Sequence, residues 1–269
     1  MAGESEALLR LSIFLGLFGL LAASEAVWPR RQSVPRGERW IANLSLVALN
    51  AAILRLTFLL VPALPVLAAL YVEGRGWGLL PALGLSGLAA DVIAFVVLDL
   101  ALYGQHVAFH FAPALWRLHR VHHADIEFDA TTGLRFHTIE ILLSQVWKVA
   151  VVLLLGAPAA AVLAFEVVLN ATSMFSHANI RLPESADRVL RTVLVTPDMH
   201  RVHHSTLMLE MNSNFGFNFA FWDRVFGTYR SKPEREHATM PIGLASYRGA
   251  EAMRLGWMLQ FPFLKGARA

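Results

Sequence analysis

The chain has 269 residues, of which 56% are hydrophobic and only 16% charged, and its formal net charge is +3. Soluble domains carry about 25% charged residues, so this composition, with a mean hydropathy of +0.50, excludes an ordinary soluble domain and points to the membrane. The absence of cysteine excludes disulfides, zinc–thiolate sites and iron–sulfur clusters. No basic run is interleaved with aromatics, so no nucleic-acid partner is expected.

Residues 8–27 are mostly apolar and long enough to cross a ~30 Å hydrocarbon core. The acidic start Met1-Ala2-Gly3-Glu4-Ser5-Glu6 lacks the positive region of a signal peptide, so an uncleaved helix is expected. Trp28-Pro29-Arg30-Arg31 and Arg36-Gly37-Glu38-Arg39 form a basic loop that the positive-inside rule places in the cytoplasm. Residues 41–72 are a second apolar segment, kinked or shortened by Pro62 and Pro65. The short, nearly neutral loop Glu73-Gly74-Arg75-Gly76-Trp77-Gly78 reads as an external turn.

A third segment, 79–100, returns to the cytoplasm and does not stop at the interface, since beyond residue 100 only Gly104 precedes Pro113. Continued as helix, it carries His106 and His110 roughly 10–15 Å past the membrane edge. Residues 141–174 are apolar again but split by Gly156-Ala157-Pro158. Each leg is about fifteen residues, or roughly 22 Å, which suits a hairpin inserted from the cytoplasmic side. From Arg181 onward the chain is polar, a cap over the hairpin, and the sequence after Phe226 carries little functional signal. The expected fold is an all-α integral membrane protein: about three transmembrane helices, a membrane-inserted helical hairpin and a cytoplasmic histidine-rich cap. Its expected divisions are N-terminal transmembrane helices (1–78), a histidine-bearing catalytic domain (79–230) and a C-terminal cytoplasmic tail (231–269).

The pentapeptide His-Arg-Val-His-His occurs twice, as His119-Arg120-Val121-His122-His123 and His200-Arg201-Val202-His203-His204. Histidines at i, i+3 and i+4 share one face of a helical turn, and neutral imidazole is the commonest protein metal ligand. His106-Val107-Ala108-Phe109-His110 repeats the i, i+4 spacing upstream. His177, followed by Asn179, sits at the expected mouth of the hairpin and completes a set of nine candidate ligands. One ion takes fewer ligands than nine, so the set suits two ions. His137 stands open between ligand, supporting and structural roles, and His237, after Glu234-Arg235-Glu236, reads as surface. A lone histidine is more often a satisfied structural side chain than a ligand.

Carboxylates are scarce near these clusters, and no Glu-x-x-His pair of the soluble di-iron type accompanies them. Acids and amides near the clusters are therefore expected to accept the other imidazole N–H from outside the ligand set. Asp99, seven residues before His106 in an apolar helix, is the leading candidate, because an ionisable group there is costly and marks a functional partner. Asn179, beside His177, and Asp198, two residues before His200, are further candidates. Glu166 and Asn170 lie on one helical face leading to His177.

The succession His106-x-x-x-His110, Leu118-His119-Arg120-Val121-His122-His123, His177-Ala178-Asn179 and Asp198-Met199-His200-Arg201-Val202-His203-His204 resembles the fatty acid hydroxylase/sterol desaturase superfamily of integral membrane oxygenases. So does Asn214-Phe215-Gly216 followed by Phe221-Trp222-Asp223-Arg224-Val225-Phe226-Gly227-Thr228-Tyr229. The resemblance implies a non-haem di-iron centre on the cytoplasmic face that uses O₂ to oxidise a lipid C–H bond. It leaves the lipid open among sterol, fatty-acyl, alkylglycerol and carotenoid substrates. Iron also fits the chemistry, since zinc does not cycle oxidation state and iron accepts imidazole. With no cysteine, Rossmann fingerprint or haem module in the sequence, a separate electron donor is expected: a reductase, ferredoxin or cytochrome. Hydroxylation is the preferred reaction, with desaturation on the same centre as its alternative. A zinc-dependent membrane hydrolase would need fewer histidines and a carboxylate base. A metal transporter or sensor would place its histidines along the membrane path instead of beyond the helix ends.

Overall fold

The computed structural model describes residues 2–32, 37–60 and 65–264; Arg36 and Pro62 lie outside them. Helix α1 (Ala2–Val27) ends where Pro29 restrains the residue before it. Helix α2 (Gly37–Leu60) and α3 (Pro65–Glu73) divide the second apolar segment into two helices, with Pro65 at a helix start, where its missing N–H costs nothing. The third segment is also divided. A short turn, α4 (Leu79–Ala82), is closed by Gly84 at φ 70°, the left-handed conformation that ends helices. Helix α5 (Gly87–Phe111) then runs unbroken through His106 and His110, as the lack of breakers predicts.

The expected hairpin is α7 (Thr138–Leu155) and α8 (Ala159–Ser176). Each leg has 18 residues, about 27 Å, so the legs are longer than the sequence suggests. Their tip packs on the turn after α3. A Cβ on Gly78 would lie 2.2 Å from the Gly156 nitrogen, so only glycine permits this crossing, and the Ala159 N–H donates to Glu73 at 3.2 Å. The hairpin therefore reaches the far end of the bundle. Among the described residues, five helices are long and apolar enough to cross a membrane: parts of α1 and α2, and α5, α7 and α8. Ala90, Ala94, Leu98 and Leu102 recur every fourth residue of α5 and bury against Val152, Leu155, Ala161, Val162 and Phe165 of the hairpin, the alanines permitting close helix approach.

At the other end lies the cap. It holds α6 (Pro113–His123), α9 (Glu184–Leu190), α10 (Pro197–His203), α11 (Met208–Met211), α12 (Phe221–Val225) and α13 (Leu255–Gln260). The basic loop after α1 is pinned to this end, since Arg30 N–H donates to Asn179 O at 3.0 Å and Arg181 N–H to Trp28 O at 2.9 Å. Its described arginines, Arg30, Arg31 and Arg39, are engaged by the protein. Arg39, buried, forks onto Asp125 at 2.7 Å and Asp129 at 2.5 Å. Burial alone would raise the Asp129 carboxyl, but Arg39 and the hydroxyl and indole donors around it hold it at about 2. The expected tail is a packed layer: Met258 and Phe261 bury against Leu46, Trp116 and Val121, and Arg120 donates to the Phe261 carbonyl at 2.5 Å.

Candidate metal centre

The nine histidines of the three boxes and His177 converge at the cap, in two groups. His106, His110, His119, His123 and His203 form one; His122, His177, His200 and His204 form the other. Within each group the ligand atoms lie within 4.8 Å of one another. The repeated pentapeptide accounts for the partition. In the first copy the i, i+4 pair (His119, His123) enters the group of five and the i+3 residue (His122) crosses to the group of four. The second copy does the reverse, with His200 and His204 in the group of four and His203 in the group of five. The stacked rings of His123 and His204, 4.5 Å apart, mark the seam. In both copies the intervening arginine and valine are buried and face away. Arg120 reaches the C-terminal layer, and Arg201 bonds Asp198 and the Ala178 carbonyl.

In the group of four, His177 Nε2 lies 3.0 Å from His200 Nε2, 3.1 Å from His204 Nε2 and 3.2 Å from His122 Nε2. His177 Nδ1 is 2.7 Å from the Ser173 carbonyl and so donates, leaving Nε2 a bare lone pair. One lone pair cannot accept three hydrogen bonds, whereas a cation among four lone pairs satisfies all of them. Imidazole nitrogens about 2 Å from one ion stand about 3 Å apart, as these do. Gly133 makes room for this corner, because a Cβ there would lie 2.4 Å from Ser173 O and 3.0 Å from His177 Nδ1.

Four of the group of five are oriented from outside. His106 Nδ1 bonds Phe215 O at 2.8 Å, His110 Nδ1 bonds Asn212 Oδ1 at 3.2 Å, and His203 Nδ1 bonds Ser213 O at 2.7 Å. His119 Nδ1 bonds Glu140 Oε1 at 2.6 Å. Their buried Nε2 atoms have no hydrogen-bond partner among the described residues. Buried polar atoms are rarely left so, and lone pairs aimed into a common space are what a bound cation requires. Burial, reinforced by neighbouring imidazoles, pushes His122, His123, His200, His203 and His204 well below the usual histidine range. Burial likewise lowers His119 to about 3 and His177 to about 4. The cluster is thus neutral at pH 7, the ligating form.

Several expected partners do other work. His137 joins neither group. It caps α7, accepting the Ile139 N–H at 3.2 Å, because its place before an apolar helix suits a cap. His237 is partly buried, 3.7 Å from Asp198, instead of lying free on the surface. None of the expected supporting residues touches an imidazole of either group. Asp198 pairs with Arg30 at 3.0 Å and with Arg201. Asn179 holds the backbone of Arg31 at 3.0 and 2.9 Å. Glu166 pairs with Arg10 and Lys148, both at 3.0 Å, and Asn170 donates to the Glu166 carbonyl. Asp99 accepts the Asn218 and Phe219 N–H groups, both at 3.2 Å, and the Trp222 indole at 2.9 Å. It acts at one remove, anchoring the loop whose Phe215 carbonyl orients His106. Asp223 holds the same loop through the Phe215 and Gly216 N–H groups at 2.7 and 2.9 Å.

A family model for fatty acid hydroxylases matches residues 92–228, just over half of the chain, a stretch that contains both histidine groups. The chain belongs to the fatty acid hydroxylase family. The ornithine lipid hydroxylase OlsE of Rhizobium tropici is 31% identical to it over 142 residues, 53% of this chain and 42% of that protein. The human alkylglycerol monooxygenase is 27% identical over 143 residues, 53% of this chain and 31% of that protein. The cholesterol 25-hydroxylase of Rattus norvegicus is 29% identical over 148 residues, 54% of this chain and 48% of that protein. The match thus spans less than half the length of each relative. No solved structure matches the chain significantly.

Proposed function

We propose that this fatty acid hydroxylase family member is an O₂-dependent di-iron monooxygenase that hydroxylates a C–H bond of a membrane lipid. The observation that carries the proposal is the pair of buried imidazole groups, five and four, whose ring nitrogens converge within each group in a membrane-spanning fold. Relatives named for ornithine lipid, alkylglycerol and cholesterol support a lipid substrate. Two iron ions, when bound, would supply the redox chemistry that O₂ activation needs and that a redox-inert ion lacks.

The chain's own residues divide the remaining work. His106, His110, His119, His123 and His203 would hold one ion, and His122, His177, His200 and His204 the other. Carbonyls at Phe215, Ser213 and Ser173, with Glu140 and Asn212, keep Nδ1 donating and so keep Nε2 free to ligate. Phe136 stacks on His122 at 4.5 Å, Phe128 lies 5.4 Å from His177, and Phe217 lies 5.0 Å from His106. These rings exclude water from the imidazoles. The overall reaction inserts one oxygen atom into C–H and releases the other as water, taking two electrons and two protons from a donor outside the chain. A reductase, ferredoxin or cytochrome fits that need. The basic loop Arg30-Arg31, pinned to the histidine end, supports a cytoplasmic placement of the centre.

Lipid profiling of a host expressing the wild-type chain or His203→Ala tests the proposal. A lipid class that gains one oxygen only with wild type is the expected result. A loss of two hydrogens would replace hydroxylation by desaturation, and identical profiles would overturn both.

A further inference from the structure

Four large apolar side chains on the outside of the cap are exposed: Val189 (69%), Val193 (51%), Val225 (65%) and Phe226 (54%). They belong to one surface. The Ala220 N–H donates to Val193 O at 2.8 Å and the Val195 N–H to Asn218 O at 3.0 Å, so the stretch after α9 lies side by side with the stretch before α12. Val189 is one turn before Val193, and Val225 and Phe226 end α12.

The height of this surface is set by α5. Asp99, which accepts the Asn218 and Phe219 N–H groups, closes the apolar stretch 79–100 and lies 12 residues before Phe111, the last residue of α5. That is about 18 Å back along the helix. One turn above Asp99, Tyr103 stacks on Phe226 at 5.2 Å with the rings 19° from parallel. The paired stretches around Val193 and Ala220 therefore lie beside α5 at the level where its apolar stretch ends, at the membrane edge, not above the end of the helix. Backbone can sit at such depth only when its polar groups are satisfied by protein, and the Asp99 carboxylate does this for two N–H groups and an indole. Exposed Arg188 and Arg224 flank the apolar residues, with the Arg224 guanidinium 4.0 Å over the Tyr229 ring. Amphipathic aromatics and long cations beside exposed apolar side chains are the composition of a membrane–water interface.

We propose that the face built from α9, Val193 and α12 is a wedge seated in the lipid surface of the leaflet beneath the histidine cap, with Val189, Val193, Val225 and Phe226 among acyl chains and Arg188 and Arg224 among headgroups. Its partner is the bilayer itself. Five helices already commit the chain to the membrane; the wedge adds a contact that fixes how deeply the cap rides, through the same loop that orients His106.

The cysteine-free sequence allows a clean test. Single-site variants Val193→Cys and Val225→Cys are spin-labelled in the full chain in phosphatidylcholine/phosphatidylglycerol nanodiscs. Leu88→Cys, on exposed α5 surface within a spanning segment, is the lipid reference, and Glu236→Cys the aqueous one. Accessibility to O₂, which concentrates in lipid, is compared with accessibility to a water-soluble nickel chelate. Both wedge positions are expected to favour O₂ over nickel as Leu88→Cys does, with the order reversed at Glu236→Cys. Nickel access at the wedge equal to Glu236→Cys would overturn the proposal. So would protection from both reagents with dipolar broadening between labels, which would make the face a contact between copies. Wild-type metal content in either variant certifies its fold, and one such variant is enough.

Discussion

Glu140→Gln isolates the one carboxylate that, among the described residues, hydrogen-bonds an imidazole of the candidate centre. The Glu140 Oε1 atom lies 2.6 Å from His119 Nδ1, with 6% and 2% side-chain exposure. Glutamine keeps the shape and an acceptor oxygen but cannot ionise, whereas a cation held by His119 Nε2 would favour the ionised carboxylate on Nδ1. A hydrogen bond to a charged acceptor is worth about 1.5–3 kcal/mol, against about 0.5–1.5 kcal/mol for a neutral one. Outer partners of ligating histidines typically cost about 10–100-fold in metal affinity when changed, or about 1.4–2.7 kcal/mol. The difference between the two hydrogen bonds, about 1–1.5 kcal/mol, meets the low end of that range, so Glu140→Gln is expected to weaken one of the two candidate metal sites by about 10-fold while the other keeps its affinity. Competition of purified protein with a calibrated chelator, with iron counted per chain, reads this directly. Wild-type affinity at both sites would refute the role given to Glu140, and equal weakening of both would refute the partition into separate groups.

His122→Ala and His203→Ala remove one ligand from different groups, and each is expected to abolish turnover and lower bound iron while the chain still inserts in the membrane; full activity in either would remove that residue from the centre. Asp99→Asn should lower turnover without abolishing it, because it loosens the 215–222 loop and leaves every imidazole in place; unchanged hydrogen exchange at Asn218 and Phe219 would contradict this. In the metal-free protein, stability should fall as pH drops below about 6.5. His119 and His177, at about 3 and about 4 folded, stay neutral while their unfolded counterparts take up protons, and the state that binds more protons gains. Thermal unfolding between pH 8 and 5 checks the sign, and a flat profile would contradict it. Reporters fused after Arg39 and after Tyr229 should fall on the cytoplasmic side and one at Gly76 on the other; an external signal at Tyr229 would invert the topology.

The candidate ligand set is legible because its signal is local: two identical pentapeptides and an i, i+4 pair need only helical periodicity to put imidazoles on one face. How His122 and His203 cross between groups depends on how α6 and α10 face each other, which no spacing encodes. Glu140 carried a usable signal, an acid in the first turn of an apolar helix, the same reasoning that singled out Asp99. For Asp99 the same reasoning looked towards a histidine, whereas the carboxylate accepts from the 218–222 loop, which lies 119 residues or more away in sequence. The five long helices follow from hydropathy, but the division at Gly84 and Gly87 depends on backbone angles. His137 shows the opposite failure, a residue of ligand type whose local position makes it a helix cap.

Incubation of the iron-loaded chain in lipid nanodiscs with an electron donor and heavy-isotope O₂ tests the central claim most directly. One heavy oxygen atom should appear in the lipid product, dependent on the donor and on both histidine groups, and none should come from heavy-isotope water. Label entering from water, or product formed without O₂, would contradict it.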